Sequence, residues 1–207
     1  ELVNRRTEFK LPNHIYCNSG SESTQRAIRL ARAATGKQTI VSFNGAWHGM
    51  NEWTLFEDGG RFAEPQKPFL GIPNIVTQAT KVLAYNDRNA LSEISSSNDI
   101  AAVILEPVQG SNPQPDIKDY LLELVDICKR KNVLVIFDEI ITGFRLSSGG
   151  AMTEFGIAPD IATYGKVIGG GLPIGLVAFN NKVLEKTFND DKPVLTGGTF
   201  SANPLCT

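Results

Sequence analysis

Apolar positions along this chain form short continuous runs that alternate with helix-spaced stripes. Residues 101–105 and 133–137 are uninterrupted apolar runs, which are typical of strands buried on both faces of a parallel sheet. Between them, apolar residues recur at helical spacing across residues 117–131, and Asp116 is the expected N-cap. This order of strand, helix and strand predicts an α/β unit with a mostly parallel sheet.

The same pattern continues on both sides of this unit. A helix is predicted over residues 21–34, because small and branched apolar residues share one face and Gly36 ends the stripe. Residues 44–73 contain two tryptophans, several glycines and prolines and no clean period, which predicts a functional loop region. Residues 1–8 are expected to be helical. Further strands are predicted at residues 15–18, 39–43, 81–85 and 175–179. We therefore expect a three-layer α/β fold with helices on both faces of the sheet.

Composition narrows the function classes. The 207 residues are 42% hydrophobic and 20% charged, with a net charge of -2 and no basic stripe, so nucleic acid is not an expected partner. No apolar run reaches membrane-spanning length, so no membrane partner is expected. Cys17, Cys128 and Cys206 are widely spaced and indicate reduced thiols of a cytoplasmic protein. With two histidines and neither HExxH nor paired CxxC motifs, no metal site is expected.

Polar groups follow several predicted strands, at the edge where ligands bind in open α/β sheets. Residues 18–23 form a turn of small residues between a strand and a helix. Within it, Gly20 and Ser21 could bind a phosphate, because unpaired N–H groups and the positive end of the helix dipole meet there. Capping of the helix by Ser19 or Ser21 is the alternative.

Asp138 and Lys166 suggest a specific chemistry. A lysine that forms a Schiff base and a carboxylate that holds a pyridine nitrogen are what a protein supplies to pyridoxal phosphate. Asp138 ends a buried apolar strand, where its charge is costly unless a cation compensates it. Its alternatives are capping a loop or pairing with Arg145. Lys166 precedes three glycines that leave space around it, but a solvated surface lysine is the alternative.

Three further features could complete such a site. Trp47 could stack on a planar ring, with Ile140 pressing on the opposite face. The alternatives are that Trp47 fills a core gap, that His48 caps a turn, and that Ile140 packs in the core. Residues 197–201 are rich in glycine and hydroxyl groups and could supply another phosphate donor or simply form a turn. The glycines at 169–171 do not match GxGxxG in either register, so a nicotinamide-dependent enzyme is not supported.

In this order, these segments resemble the class III, fold-type I pyridoxal-phosphate aminotransferases, nearest the branch of glutamate-1-semialdehyde aminomutase. The resemblance implies that Lys166 forms the internal aldimine and that Asp138 holds the pyridine nitrogen. It also implies a homodimer in which Thr199 reaches the phosphate of the neighbouring subunit. The implied cofactor contacts are Gly20, Ser21, Trp47, His48, Glu106, Ser111, Asp138, Ile140, Lys166 and Thr199.

Two departures bear on the substrate. Ser111 occupies the position at which ornithine- and GABA-type members carry a glutamate. In this it resembles the aminomutase-like branch, where a polar residue faces the cofactor hydroxyl. Ile141 replaces the aromatic residue or glutamine of some other branches. Both changes disfavour an ornithine or GABA aminotransferase.

The expected function is amino-group transfer by an aminotransferase or an aminomutase. The expected cofactor is pyridoxal phosphate, with pyridoxamine phosphate as its alternate form. The expected substrate is a small amino, semialdehyde or oxo compound. Members of the family are roughly twice this length. Residues 1–207 are therefore expected to be the central cofactor-binding domain, with an N-terminal segment and a C-terminal small domain outside them. A fragment or pseudoenzyme that folds without turnover is the alternative.

Overall fold

In the computed structural model, the described residues are 2–8, 10–56, 67–114, 116–188 and 192–207. Within them, seven strands form one sheet of order β1-β7-β6-β5-β4-β2-β3. The strands are β1 (Asn13–Cys17), β2 (Thr39–Phe43), β3 (Thr80–Leu83), β4 (Ile100–Leu105), β5 (Leu134–Asp138), β6 (Ile161–Tyr164) and β7 (Gly175–Phe179). The α-helices are α1 (Leu2–Arg6), α2 (Gly20–Thr35), α3 (Asn74–Gln78), α4 (Arg88–Ser96), α5 (Lys118–Lys131), α6 (Gly150–Phe155) and α7 (Asn181–Thr187).

The sheet directions bring six strand ends to one edge. Strands β3, β2, β4, β5 and β6 are parallel to their neighbours, whereas β7 is antiparallel to both β6 and β1. Because β7 is antiparallel to both of its neighbours, β1 runs in the same direction as β6 and the other parallel strands. The carboxyl ends of β1 to β6 therefore lie at the same edge, where open α/β sheets bind ligands.

Helices cover both faces of the sheet, which confirms the predicted three-layer fold. Successive side chains of a strand point to opposite faces, and β5 shows this directly. Val135 and Phe137 pack with residues of α4, α5 and α6, whereas Leu134 and Ile136 pack with residues of α2 and α7. Both layers are apolar, so the central strands are buried on both sides, as their continuous apolar runs predict.

Helix α2 begins and ends as its sequence requires. The side chain of Ser19, the N-cap, accepts a hydrogen bond from the backbone N–H of Glu22. Gly36 ends the helix in the left-handed conformation, at φ 70°, where its N–H bonds to the carbonyl of Arg32. This helix begins directly after β1 and so carries the predicted phosphate turn at the ligand-binding edge.

Several predicted elements differ from the structure. Ile117, not Asp116, is the N-cap of α5, and no side-chain hydrogen bond caps that helix. Strand β6 and helices α3, α4, α6 and α7 were not predicted, and all of them are short. In the predicted loop, residues 57–66 lie outside the described part, and the remainder contains one 3-10 turn, Glu52–Thr54. No described helix combines the length and apolarity needed to cross a bilayer.

Candidate functional site

Asp138 is the buried charge at the centre of the ligand-binding edge. It is the last residue of β5 and only 2% exposed. Its Oδ1 accepts hydrogen bonds from the hydroxyl of Thr163 at 3.2 Å and from the N–H of Ile140 at 3.1 Å. The carboxylate therefore does cap the turn that follows it, as one alternative predicted. Arg145 is exposed, and Oδ2 of Asp138 contacts the ring of His48 instead, so the predicted Arg145 alternative is wrong.

His48 completes this buried pair. Its Nδ1 lies 2.7 Å from Oδ2 of Asp138, and the side chain is 1% exposed. The prediction that this imidazole caps a turn is wrong, since its ring binds a residue 90 positions away. Its Nε2 is buried and has no hydrogen-bond partner among the described residues. Buried polar atoms are rarely left unpaired, so a bound molecule could satisfy this nitrogen.

The turn at the start of α2 lies close to this pair. The hydroxyl of Ser21 accepts a hydrogen bond from the N–H of Met50 at 3.0 Å and keeps its own proton to donate. A Cβ added at Gly20 would lie 2.6 Å from Cδ1 of Ile140, so only glycine fits there without displacement. Capping by Ser19 is confirmed, and it leaves Gly20 and Ser21 at the first turn of the helix.

Ile140 connects three parts of the site. It follows Asp138 by two residues and is half-buried. Its side chain lies against Gly20, and a Cβ at Gly165 would be 3.6 Å from its Cγ1 and Cγ2. Ile140 therefore packs between the turn of α2 and the residue before Lys166.

Trp47 and Glu106 are joined through the backbone. Trp47 is 56% exposed, so the prediction that it fills a core gap is wrong. Its N–H donates to Oε1 of Glu106 at 2.8 Å, and the other oxygen of this buried carboxylate accepts from the N–H of Gly110 at 3.1 Å. Glu106 thus fixes the backbone of the loop that presents the indole.

Ser111 lies beside the same loop. Its exposed hydroxyl donates to the carbonyl of Gly45 at 2.6 Å. Ser111, Trp47 and His48 all line a cavity of about 270 Å³. The structure therefore brings Ser111 to the predicted site, although its hydroxyl proton already has a partner.

Lys166 follows β6 and opens the 3-10 turn Lys166–Gly169. Its φ of 45° lies in the left-handed region, which costs a residue with a Cβ about 1–2 kcal/mol. Such backbone conformations are concentrated at functional sites. The side chain is exposed, which also fits the surface-lysine alternative. Of the three glycines that follow, Gly170 and Gly171 have no atom within 4 Å of an added Cβ, whereas a Cβ at Gly169 would lie 2.8 Å from Cγ2 of Ile174.

Thr199 is exposed and lies in a turn next to the start of α2. The N–H of Ser201 bonds to the carbonyl of Gly198 at 3.0 Å, which confirms the predicted turn. A Cβ at Gly198 would be 3.4 Å from the side-chain nitrogen of Asn18, the residue before the N-cap of α2. The loop therefore lies beside the predicted phosphate turn of its own chain.

Glu139 is the neighbour of Asp138 but points into the core. Its carboxylate accepts hydrogen bonds from Thr142 and from the N–H groups of Ala151 and Met152 in α6. Burial raises the pKa of Glu139, and these hydrogen bonds oppose the rise. Burial likewise raises the pKa of Tyr164, which precedes Gly165. The charge of the neighbouring Asp138 adds to the rise in the pKa of Glu139.

Sequence reasoning missed the contacts that organise this site. These contacts join positions that are distant in the sequence. They are the contact of His48 with Asp138, the hydrogen bond from Thr163 to Asp138, and the hydrogen bonds from Arg26 and Arg29 to residues 197 and 195. A partial signal existed, because His48 follows the one tryptophan already assigned to the site. The assembled edge can bind an anion at the start of α2 and hold a cation at Asp138.

Comparison with known proteins identifies the family. A profile described as Aminotransferase class-III matches residues 5–207. A glutamate-1-semialdehyde 2,1-aminomutase of Sulfolobus acidocaldarius is 44% identical over 193 residues, which are 92% of this chain and 46% of that protein. An enzyme of the same name from Hydrogenobaculum is 45% identical over 196 residues, 92% of this chain and 45% of that protein. The chain therefore spans about half the length of these curated relatives.

Solved structures agree with this grouping. An omega-transaminase from Sphaerobacter thermophilus superposes with a TM-score of 0.86 at 30% identity, over 99% of this chain and 49% of that one. A structure described as a transaminase with PLP bound gives 0.87 at 29% identity, over 99% and 49% of the two chains. The match of the family profile to nearly every residue shows that this chain belongs to the class-III aminotransferases.

Proposed function

We propose that this chain binds pyridoxal phosphate through Lys166 and that the whole protein transfers an amino group. The observation that carries the proposal is the carboxylate of Asp138. It is buried at the carboxyl end of β5, oriented by Thr163 and Ile140, and paired with His48. A buried carboxylate held in this way suits a protonated ring nitrogen, which needs a fixed negative charge.

The residues of the edge fit this cofactor. The first turn of α2, at Gly20 and Ser21, offers backbone N–H groups and a positive dipole end to a phosphate. The unpartnered Nε2 of His48 is a buried polar atom that an additional bound group could satisfy. The exposed indole of Trp47 and the side chain of Ile140 provide apolar surfaces for a planar ring. Lys166 is exposed and follows the adjoining strand β6.

Each residue then has a defined task. Bound pyridoxal phosphate supplies an aldehyde that attaches to amines and a ring that withdraws electrons from the substrate carbon. Asp138 keeps a proton on the ring nitrogen by holding the positive charge there. Lys166 would hold the cofactor through its Nζ, and the same Nζ is the base that would take a proton from the substrate carbon. Trp47 and Ile140 orient the ring, while Glu106 fixes the loop that carries Trp47.

The reaction proposed for the whole protein is that of a glutamate-1-semialdehyde aminomutase or a related aminotransferase. Two curated relatives with more than 40% identity carry the aminomutase name, and Ser111 fits that branch of the family. An aminotransferase releases an oxo product, whereas an aminomutase returns the nitrogen to the neighbouring carbon of the same molecule. We further propose a homodimer in which Thr199 serves the phosphate of the partner's site.

Cofactor addition tests the proposal. With pyridoxal phosphate, the wild type is expected to gain an absorption band, and borohydride is expected to fix the cofactor on the peptide that contains Lys166. Lys166→Ala should give no fixed cofactor on that peptide. Lys182→Ala, which removes an exposed lysine on α7, is the control and should behave as wild type. An unmodified Lys166 peptide in the wild type would overturn the proposal.

A product assay then separates the catalytic alternatives. Glutamate-1-semialdehyde is supplied alone or with a common amino donor and an oxo acceptor. Product from the semialdehyde alone indicates aminomutase chemistry, and product that depends on the acceptor indicates transfer. Cofactor fixed on Lys166 without either product in the whole protein would support the non-catalytic alternative.

A further inference from the structure

Arg26 connects two segments of this chain that are both proposed to bind a phosphate, the turn at the start of α2 and the loop that carries Thr199. It lies on α2, seven residues after the N-cap Ser19, and is only 9% exposed. Its Nη1 donates to the carbonyl of Tyr16, near the end of β1, at 2.7 Å. Its Nη2 donates to the carbonyl of Gly197 at 2.5 Å and contacts the hydroxyl of Ser201 at 3.5 Å.

A fourth contact brings Arg26 to the first turn of α2. Its Nη2 is 3.5 Å from Oε2 of Glu22, and the same carboxylate oxygen accepts the N–H of Asn18 at 2.8 Å. Glu22 also donates its own N–H to the side chain of Ser19. The guanidinium therefore contacts the strand end, the predicted phosphate turn and the loop of Thr199 at once.

A second arginine holds the same segment from one helical turn further along. Nη1 of Arg29 donates to the carbonyl of Leu195 at 3.2 Å. Both arginines bind backbone carbonyls, and the contact of Arg26 with the hydroxyl of Ser201 is the longer one, so the arginines hold the segment mainly through its backbone. We name residues 195–203 the Thr199 segment. Its internal hydrogen bonds are short-range turns, which alone hold a segment weakly.

We propose that Arg26 is a positioning residue that fixes the Thr199 segment against the phosphate turn of α2. Its guanidinium is suited to this role, because the rigid fork of donors can bind two carbonyls in fixed directions. A buried arginine is expensive to maintain unless its donors are satisfied, and here they are satisfied by the parts that must be aligned. Arg26 acts only through these contacts and needs no contact with the cofactor.

This inference rests on the proposed cofactor, so its test has one arm without cofactor. Hydrogen exchange is measured on the peptide that covers the Thr199 segment in Arg26→Gln and in the wild type. Loss of charge-assisted hydrogen bonds is expected to raise exchange there by about tenfold or more. Arg32→Gln is the matched control, because Arg32 lies on the same helix but contacts Gln38 and Trp53 instead. Unchanged exchange in a folded Arg26→Gln protein would overturn the proposal.

The second arm measures dissociation constants for pyridoxal phosphate and for pyridoxal, which lacks the phosphate. Arg26→Gln is expected to weaken pyridoxal phosphate by about tenfold and pyridoxal by less than about twofold. Equal weakening of both would refute the link to the phosphate. Failure of the wild type to bind either compound would instead count against the proposed function, whatever the exchange arm shows.

A conservative variant guards against loss of folding. Arg26→Lys keeps the positive charge but offers one nitrogen in place of a planar fork. It is expected to fold and to show intermediate exchange in the Thr199 segment. Wild-type exchange and wild-type affinity for pyridoxal phosphate in Arg26→Lys would show that charge alone suffices and would overturn the positioning role of the fork.

Discussion

Asp138 and Glu139 are adjacent carboxylates with opposite surroundings. Both are almost completely buried, at 2% and 1% exposure. Asp138 faces the edge of the sheet, where its partners include the imidazole of His48. Glu139 faces the core, where two backbone N–H groups of α6 and the hydroxyl of Thr142 satisfy it.

The difference teaches that burial alone does not identify a functional carboxylate. The carboxylate of Glu139 packs closely against the start of α6, because a Cβ added at Gly150 would lie 2.5 Å from its Oε2. Its three donors, the hydroxyl of Thr142 and two N–H groups of α6, are all buried in the core. Asp138 instead leaves the Nε2 of its partner His48 buried without a bond among the described residues. The partners, rather than the exposure, separate a structural group from a candidate binding group.

Removal of Glu139 is expected to have the largest effect. In Glu139→Ala, the N–H groups of Ala151 and Met152 lose their acceptor inside the core, at about 1–3 kcal/mol for each unsatisfied group. We expect the free energy of unfolding, measured in urea, to fall by about 3–5 kcal/mol. Glu154→Ala, at an exposed position of the same helix, is the control and should change it by about 0.5 kcal/mol or less. A loss below that of the control would contradict the structural role.

Asp138→Asn should affect the amino-transfer rate more than the free energy of unfolding. The amide keeps the shape of the side chain and one acceptor oxygen, but it loses the charge and replaces the second acceptor with a donor. We expect the amino-transfer rate of the whole protein to fall by about a hundredfold, equivalent to about 2.7 kcal/mol of transition-state stabilisation. The free energy of unfolding should fall by less than it does in Glu139→Ala. A rate close to wild type in this variant would remove Asp138 from the proposed chemistry.

The fold was predictable where the sequence pattern was strong. Strands β2 and β7 match their predicted bounds, and α2 ends at Gly36 as expected. Strand β6 was missed because four residues are too few to show a period. Asp116 was a reasonable N-cap by residue type, yet the chain enters α5 one residue later. Local propensity could not decide between these neighbouring positions.

The site was predictable by residue type but not by contact. The expected residues come together at one edge because chain direction brings strand ends there. Residue type and charge do not distinguish Asp138 from Glu139, and Asp138 was assigned to the site from its place at the end of a buried strand and from the family resemblance. The partners that separate the two are distant along the chain, because His48 is 90 positions from Asp138 and Ala151 and Met152 are 12 and 13 positions from Glu139. No local spacing rule reports such pairs.

The pH dependence of the free energy of unfolding tests whether the pKa of the buried Glu139 is raised. Burial raises the pKa of Glu139 in the folded protein above its ordinary value of 4.5. Between the two pKa values the folded state binds more protons than the unfolded state, so this group's contribution to stability falls as pH rises from about 4.5. Glu139→Gln lacks this titration. We expect the wild type to lose up to about 1.4 kcal/mol per pH unit relative to Glu139→Gln in that window, measured by urea unfolding. A difference that does not vary with pH would contradict the raised pKa.

The smallest expected effects come from two threonines that each donate to one of the carboxylates. Thr142 bonds to Glu139 at 2.5 Å and Thr163 bonds to Asp138 at 3.2 Å, and both are buried. Valine keeps the shape of threonine and removes the hydroxyl. Thr142→Val should lower the free energy of unfolding by about 2 kcal/mol, and Thr163→Val by about 1 kcal/mol, since the shorter bond to a charged group is the stronger.

The two variants should differ more clearly in cofactor binding. Thr163→Val loosens Asp138 and is expected to weaken the affinity for pyridoxal phosphate by about fivefold, whereas Thr142→Val should leave it within about twofold. The two affinities are measured by titration of the absorption band under the same conditions. Equal weakening in both would mean that the two carboxylates act as one cluster. An effect confined to Thr163→Val would assign the cofactor to the edge side of β5, because only that hydroxyl contacts Asp138.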